Sequence, residues 1–109
     1  MFIQLRTIVV EKGNAEQVVE RFSKSGHIEG KEGFIDKTVM VNSRSKETEE
    51  VVVMIRWESQ EAWKNWEKDP VHIEGHRKNR GQQPPAYVVE SSVKMYEVKQ
   101  VNQGTFVQA

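Results

Sequence analysis

VVVMIRWESQEAWKNWEKDPVHIEGH, residues 51–76, runs from an apolar segment into two polar stretches, each opened by a helix-starting residue. VVVMIRW (51–57) reads as a nearly unbroken apolar strand, rich in β-branched side chains. Ser59 is placed to cap a helical stretch that carries Trp63 and Trp66. Asp69-Pro70 then provides a fresh N-cap with proline at the first helical position. The spacing predicts a strand followed by two short helices or one bent helix.

Upstream, FIDKTVMVN (34–42) reads as a strand and SRSKETEE (43–50) as a polar turn, so the two apolar runs form a hairpin. FIQLRTIVV (2–10) alternates through Ile3, Leu5, Thr7 and Val9 and predicts a first strand. In EKGNAEQVVERFSKSG (11–26), Asn14 and Gln17 stand in capping-box spacing, with Ala15, Val18, Val19 and Phe22 on one helical face. This helix should end near Gly26. Downstream, RGQQPPA (80–86) is a loop by its Gly and Pro content, and residues 87–101 form a last long strand.

The order βαββαβ predicts an α+β, ferredoxin-like fold, with helices on one face of an antiparallel sheet. The other sheet face needs a cover, which a second copy of the chain supplies most simply, so a two-fold homodimer is expected. One domain should occupy residues 1–101, with 102–109 as a C-terminal tail.

The chain of 109 residues has 37% hydrophobic and 29% charged side chains, a globular balance. Sixteen basic and sixteen acidic residues cancel, removing the broad positive field on which nucleic-acid binding depends. No cysteine is present, which excludes disulfides, thiol nucleophiles and thiolate metal sites. The start MFIQLRTIVV lacks the pattern of a secretory leader, and no apolar run approaches about 18 residues. The expectation is a cytoplasmic protein with no membrane segment.

His-Ile-Glu-Gly occurs twice, at 27–30 and 72–75. The first copy follows a helix end and is expected in a loop; the second lies inside a helix. On that helix His72 and His76 stand at i and i+4 and can face the same way. Zinc would need a third ligand that the spacing does not supply. Trp63 is best explained by packing between helix and sheet. Trp66, ten residues before His76, is close enough for consecutive helices to line one pocket. A flat apolar ligand carrying a metal, walled by an indole and held by a neutral imidazole, would use both, and haem fits that description.

The segments EKGNAEQVVERF (11–22), EGFID (32–36) and VVVMIRWESQEAWKNWEKDPVHIEGH (51–76) resemble the antibiotic biosynthesis monooxygenase superfamily. Within it, the likeness is to the IsdG-like and HmoA-like bacterial haem-degrading monooxygenases, above all the HmoA-like branch. The resemblance implies a dimeric α+β barrel with one haem per protomer in a cleft between helices and sheet. It implies that His76 is the axial ligand to iron and that Trp66 presses on the porphyrin and bends it. O2 and an external electron donor, a reductant or reductase, would open the ring to a linear tetrapyrrole and free the iron. Haem is then substrate as well as cofactor. The family carries an asparagine on the first strand where this chain has Arg6, a longer and always charged donor. Arg6 is thus a candidate catalytic group, a propionate contact or an ordinary exposed strand arginine. Arg77, Lys78 and Arg80, following His76 on the helix, are further candidate propionate contacts or a solvated face. Two rivals remain: a non-catalytic haem-binding or transfer protein, and a cofactor-free monooxygenase of the same fold acting on an aromatic substrate.

Overall fold

A computed structural model describes residues 1–105. The elements in chain order are β1 (Phe2–Glu11), α1 (Ala15–Ser23), a 3₁₀ turn (His27–Gly30), β2 (Phe34–Asn42), β3 (Thr48–Trp57), α2 (Gln60–Glu67), α3 (Pro70–Lys78) and β4 (Val88–Glu97). The four strands form one sheet in the order β2-β3-β1-β4, and every neighbouring pair is antiparallel. This is the ferredoxin-like α+β arrangement expected from the βαββαβ order.

The differences from expectation lie at element ends and have local causes. β3 starts at Thr48 rather than Val51, because β1 continues to Glu11 and pairs with it there. β4 stops at Glu97 rather than residue 101. Its last ladder partner is Phe2, and after Val98 donates to the Met1 carbonyl at 2.9 Å, no β1 residue remains to pair with. Of the tail expected at 102–109, residues 106–109 lie outside the described residues. The first His-Ile-Glu-Gly copy is a 3₁₀ turn and not an irregular loop.

The capping box at α1 does not form. The Asn14 side chain donates to the Glu11 carbonyl at 3.0 Å and accepts from Gln17 at 3.0 Å, leaving the helix N–H groups without a local cap. Glu49 replaces it. Paired with Val10 on the helix side of the sheet, Glu49 accepts from the backbone N–H groups of Gly13 at 2.7 Å and Ala15 at 3.2 Å. Gly13 makes this turn at φ +91°, a backbone region that a side chain disfavours.

On β1, Phe2, Gln4, Arg6, Ile8 and Val10 face the helices, and Ile3, Leu5, Thr7 and Val9 face the opposite side. The helix side contains two separate cores. One joins Ile8, Val10 and Val51 to Ala15 and Val18 of α1. The other joins Phe2 and Trp57 to Trp66 of α2. Gln4 and Arg6 lie between them. On the uncovered side, Ile3, Leu5 and Val9 share a face with Val52, Met54, Met40 and Tyr96, an apolar strip flanked by the charged Asp36, Arg56, Lys94 and Glu90, with no described helix above it.

Candidate functional site

A cavity of about 380 Å³ fills the interval between the two cores. Two cross-strand rows make its floor: Lys37, Ile55 and Gln4 in one, Val53 and Arg6 in the next. Met95 and Val93 of β4 extend these rows beside Gln4 and Arg6, and both are exposed. The sheet thus presents a broad, mostly apolar platform. Phe22 of α1, Ile28 of the 3₁₀ turn, Trp66 of α2, and His72 and His76 of α3 stand around it.

Trp66, expected to wall a ligand, is 9% exposed and also belongs to a core. Its ring centroid lies 6.3 Å from Trp57, 6.0 Å from His27 and 4.2 Å from His72, so the indole is held from several sides and keeps one edge of the cavity. Trp63 packs on Phe2 at 5.2 Å and does not line the cavity.

His72 and His76 do face the same way, with centroids 4.4 Å apart and rings perpendicular. Burial pushes the His72 imidazole below its ordinary pKa; nearby Glu67 opposes this and His76 adds to it, so the neutral ring is favoured. Its Nε2 is buried without a hydrogen-bond partner among the described residues, and the Glu67 carboxylate lies 3.5 Å away. His76 is exposed at the cavity rim. No group of three His, Cys, Asp or Glu side chains among the described residues is placed to hold a metal ion. A single imidazole offered to a metal already held by a flat ligand is what the donor set suits: one histidine at the mouth, an indole, and a floor that mixes Val53 and Ile55 with polar side chains.

Arg6 does not point away from the fold. It is half-buried on the cavity floor, and burial, followed by the charge of Arg21, lowers its pKa from the ordinary arginine value. Arg77 and Lys78 are exposed on the last turn of α3, and Arg80 lies beyond the helix end rather than on it. None of these three lines the cavity.

Asp69 is the structural residue whose reach the sequence concealed. Its capping role is as expected: one carboxylate oxygen accepts from Val71 N at 2.9 Å and His72 N at 3.2 Å. The carboxylate also accepts from Lys31 Nζ at 2.8 Å and lies 3.2 Å from His27 Nε2. The first His-Ile-Glu-Gly copy is thereby tied to the helix that carries the second. Asp69 fixes α3, and through it both histidines of the cavity.

Lys31 holds the Asp69 carboxyl far below the usual carboxylate range; burial opposes the shift, and His27 and the two backbone donors reinforce it. A carboxyl whose pKa is lowered on folding contributes stability that is complete above its unfolded value of about 3.9 and is lost as the pH falls below it. Asp69→Asn should therefore melt lower than the parent at neutral pH, with the difference narrowing below about pH 4. Thermal melts of both proteins across that range check this; a difference that stays constant with pH would refute it.

Residues 1–78 match the sequence profile of the antibiotic biosynthesis monooxygenase family. Across 108 residues the chain is 51% identical to the protein named heme-degrading monooxygenase HmoA of Bacillus subtilis (strain 168), covering 99% of this chain and 100% of that one. The crystal structure of a Bacillus cereus protein assigned to the antibiotic biosynthesis monooxygenases superimposes with a TM-score of 0.82 at 43% identity, over 94% of this chain and 97% of that one. The heme-degrader MhuD of Mycobacterium tuberculosis, solved with two hemes in its active site, shares the fold with a TM-score of 0.64 at 22% identity, over 94% of this chain and 100% of that one. No described helix is long and apolar enough to cross a membrane. With the family profile matched over residues 1–78 and half of its residues identical to a relative covered over its whole length, the chain belongs to the antibiotic biosynthesis monooxygenase family.

Proposed function

We propose that this protein is a haem-degrading monooxygenase whose haem lies on the β-sheet platform between the two cores. The observation that carries this reading is the convergence of His76 and Trp66 on one cavity whose floor places Val53 and Ile55 beside the polar Gln4, Arg6 and Lys37. The close likeness to a protein named for haem degradation supports it. Bound haem supplies iron that activates O2 with electrons from an external reductant, and the ring is opened to a linear tetrapyrrole with release of the iron.

The chain's own residues bind and orient. His76, at the rim, would hold the iron of bound haem through an imidazole nitrogen. Trp66, braced by Trp57 and His27, would form a stiff wall against a bound porphyrin. Arg6 directs a charged donor into the cavity from the floor, where low solvent access strengthens its hydrogen bonds. Val53, Ile55 and Phe22 exclude water from the apolar body of the ligand. The uncovered sheet face of Ile3, Leu5, Met54 and Tyr96 supports a homodimer formed by two such faces packing together. The demand for a reductant favours the cytoplasm as the site of the reaction.

Aerobic addition of haemin and ascorbate tests the proposal. The Soret band should decay, and mass analysis should find a linear tetrapyrrole. A stable Soret band would overturn the degradation and leave a haem-binding or transfer protein. Failure to bind haem would favour a cofactor-free monooxygenase acting on an aromatic substrate.

A further inference from the structure

The first His-Ile-Glu-Gly copy supplies only Ile28 to the cavity, but the turn it forms reaches the two helices that carry Trp66 and His76. His27 lies against the Trp66 indole, with ring centroids 6.0 Å apart. Lys31 closes the turn by donating its backbone N–H to the Ile28 carbonyl at 3.0 Å, and its side chain donates to the Asp69 carboxylate at 2.8 Å. The segment is secured to the end of β3, because Glu58 N donates to the Gly33 carbonyl at 2.8 Å. The two Asp69 oxygens divide their partners. Oδ1 accepts from the N–H groups of Val71 and His72 at the start of α3, Oδ2 accepts from Lys31, and His27 Nε2 stands 3.2 Å from both.

α3 has no buried residue, so its direction depends on how its first turn is held. His76 lies seven residues beyond Asp69, about 10 Å along the helix axis. A tilt of about 10° at the anchored end would displace it by about 2 Å, roughly ten times the tolerance of about 0.2 Å for a metal–ligand distance. The carboxylate that prevents this tilt is 8% exposed and the Lys31 side chain 28% exposed. Breaking the pair would leave a buried carboxylate without its charged partner, which makes the contact a stiff one.

We propose that Lys31 and His27 are positioning residues of the haem site, an assignment that rests on the haem reading above. Holding Asp69 from the side of the sheet, they set the angle of α3 and with it the reach of His76 toward iron. His27, against both Trp66 and Asp69, keeps the wall and the ligand in one frame. Neither side chain lines the cavity, so both act through their neighbours.

Haemin and metal-free protoporphyrin IX separate positioning from plain support, because only haemin uses His76. Lys31→Met keeps the length of the side chain and loses its charge. It should bind haemin about tenfold more weakly than the parent, as removal of a group that orients a metal ligand does. The iron–histidine stretching band in resonance Raman spectra of the reduced complex should shift as well. Protoporphyrin IX, followed by tryptophan fluorescence quenching, should bind parent and Lys31→Met within about twofold of each other. Lys31→Arg, which restores a charged donor, should recover most of the haemin affinity. His27→Ala should weaken haemin binding by less than Lys31→Met, since Lys31 still holds the carboxylate. Val10→Ala, in the other core, is a destabilised control that should keep the parent's haemin affinity and band, with thermal melts verifying that every variant folds. Unchanged haemin affinity and an unchanged band in Lys31→Met would overturn the assignment. Equal losses for haemin and protoporphyrin IX would overturn it in favour of a purely structural turn. A parent protein that binds neither compound would refute the haem reading itself, and this assignment with it.

Discussion

His76→Ala should lose the absorbance spectrum of a histidine-ligated haem and bind haem about 100-fold or more weakly than the parent. Even removal of a group that merely orients a metal ligand costs about 10–100-fold, and loss of the ligand itself should cost no less. His72 is the reason a control is needed. It lies one helical turn away with a buried Nε2 that has no hydrogen-bond partner among the described residues, so it is a potential substitute ligand. His72→Ala alone should keep the ligated spectrum, and the double variant should behave like His76→Ala. A haem titration followed at the Soret band reads all three. Unchanged binding by His76→Ala would show that the ligand has been assigned to the wrong residue.

The largest effect on stability should come from Trp57→Ala, at about 3–5 kcal/mol in urea unfolding. Trp57 is fully buried, packs edge-on against Phe34 at 5.6 Å and supports Trp66 from below. Its indole Nε1 is buried with no hydrogen-bond partner among the described residues. Trp57→Phe removes that costly donor together with part of the ring volume, so its penalty should fall well short of the alanine variant's, within about 2 kcal/mol. A phenylalanine variant as unstable as the alanine one would refute this and mean that the part of the indole lost in both variants carries the packing. Trp57→Ala should also weaken haem binding, since Trp66 would lose its support.

Most of the architecture was legible from local chemistry. Ser59 accepts from Ala62 N at 3.1 Å and Asp69 from the first turn of α3, as their positions before polar, helix-forming stretches predict. The capping box at Asn14 failed because a residue distant in sequence, Glu49, reaches the same N–H groups, and spacing cannot reveal a partner brought by strand pairing. For the same reason the tie of His27 and Lys31 to Asp69 was hidden, although each residue stood in plain view. The cavity did leave a mark in β1. Its inward row reads Phe2, Gln4, Arg6, Ile8, Val10, and the two polar members interrupt an otherwise apolar series at the gap between the cores. Without knowing which alternate face is inward, that interruption resembles an ordinary solvent-facing pattern.

The division of the helix side into two cores has a thermodynamic consequence. α3 carries both cavity histidines yet has no buried residue of its own, and Asp69 fastens it at one end only. The free end should open at low cost, visible as rapid amide exchange at His76 and beyond. A ligand lying between the cores supplies the packing that the chain omits, joins them into one cooperative unit and raises the melting temperature through linkage. If that ligand is consumed, the added order is consumed with it: each turnover would return the protein to its looser state, ready to release the products.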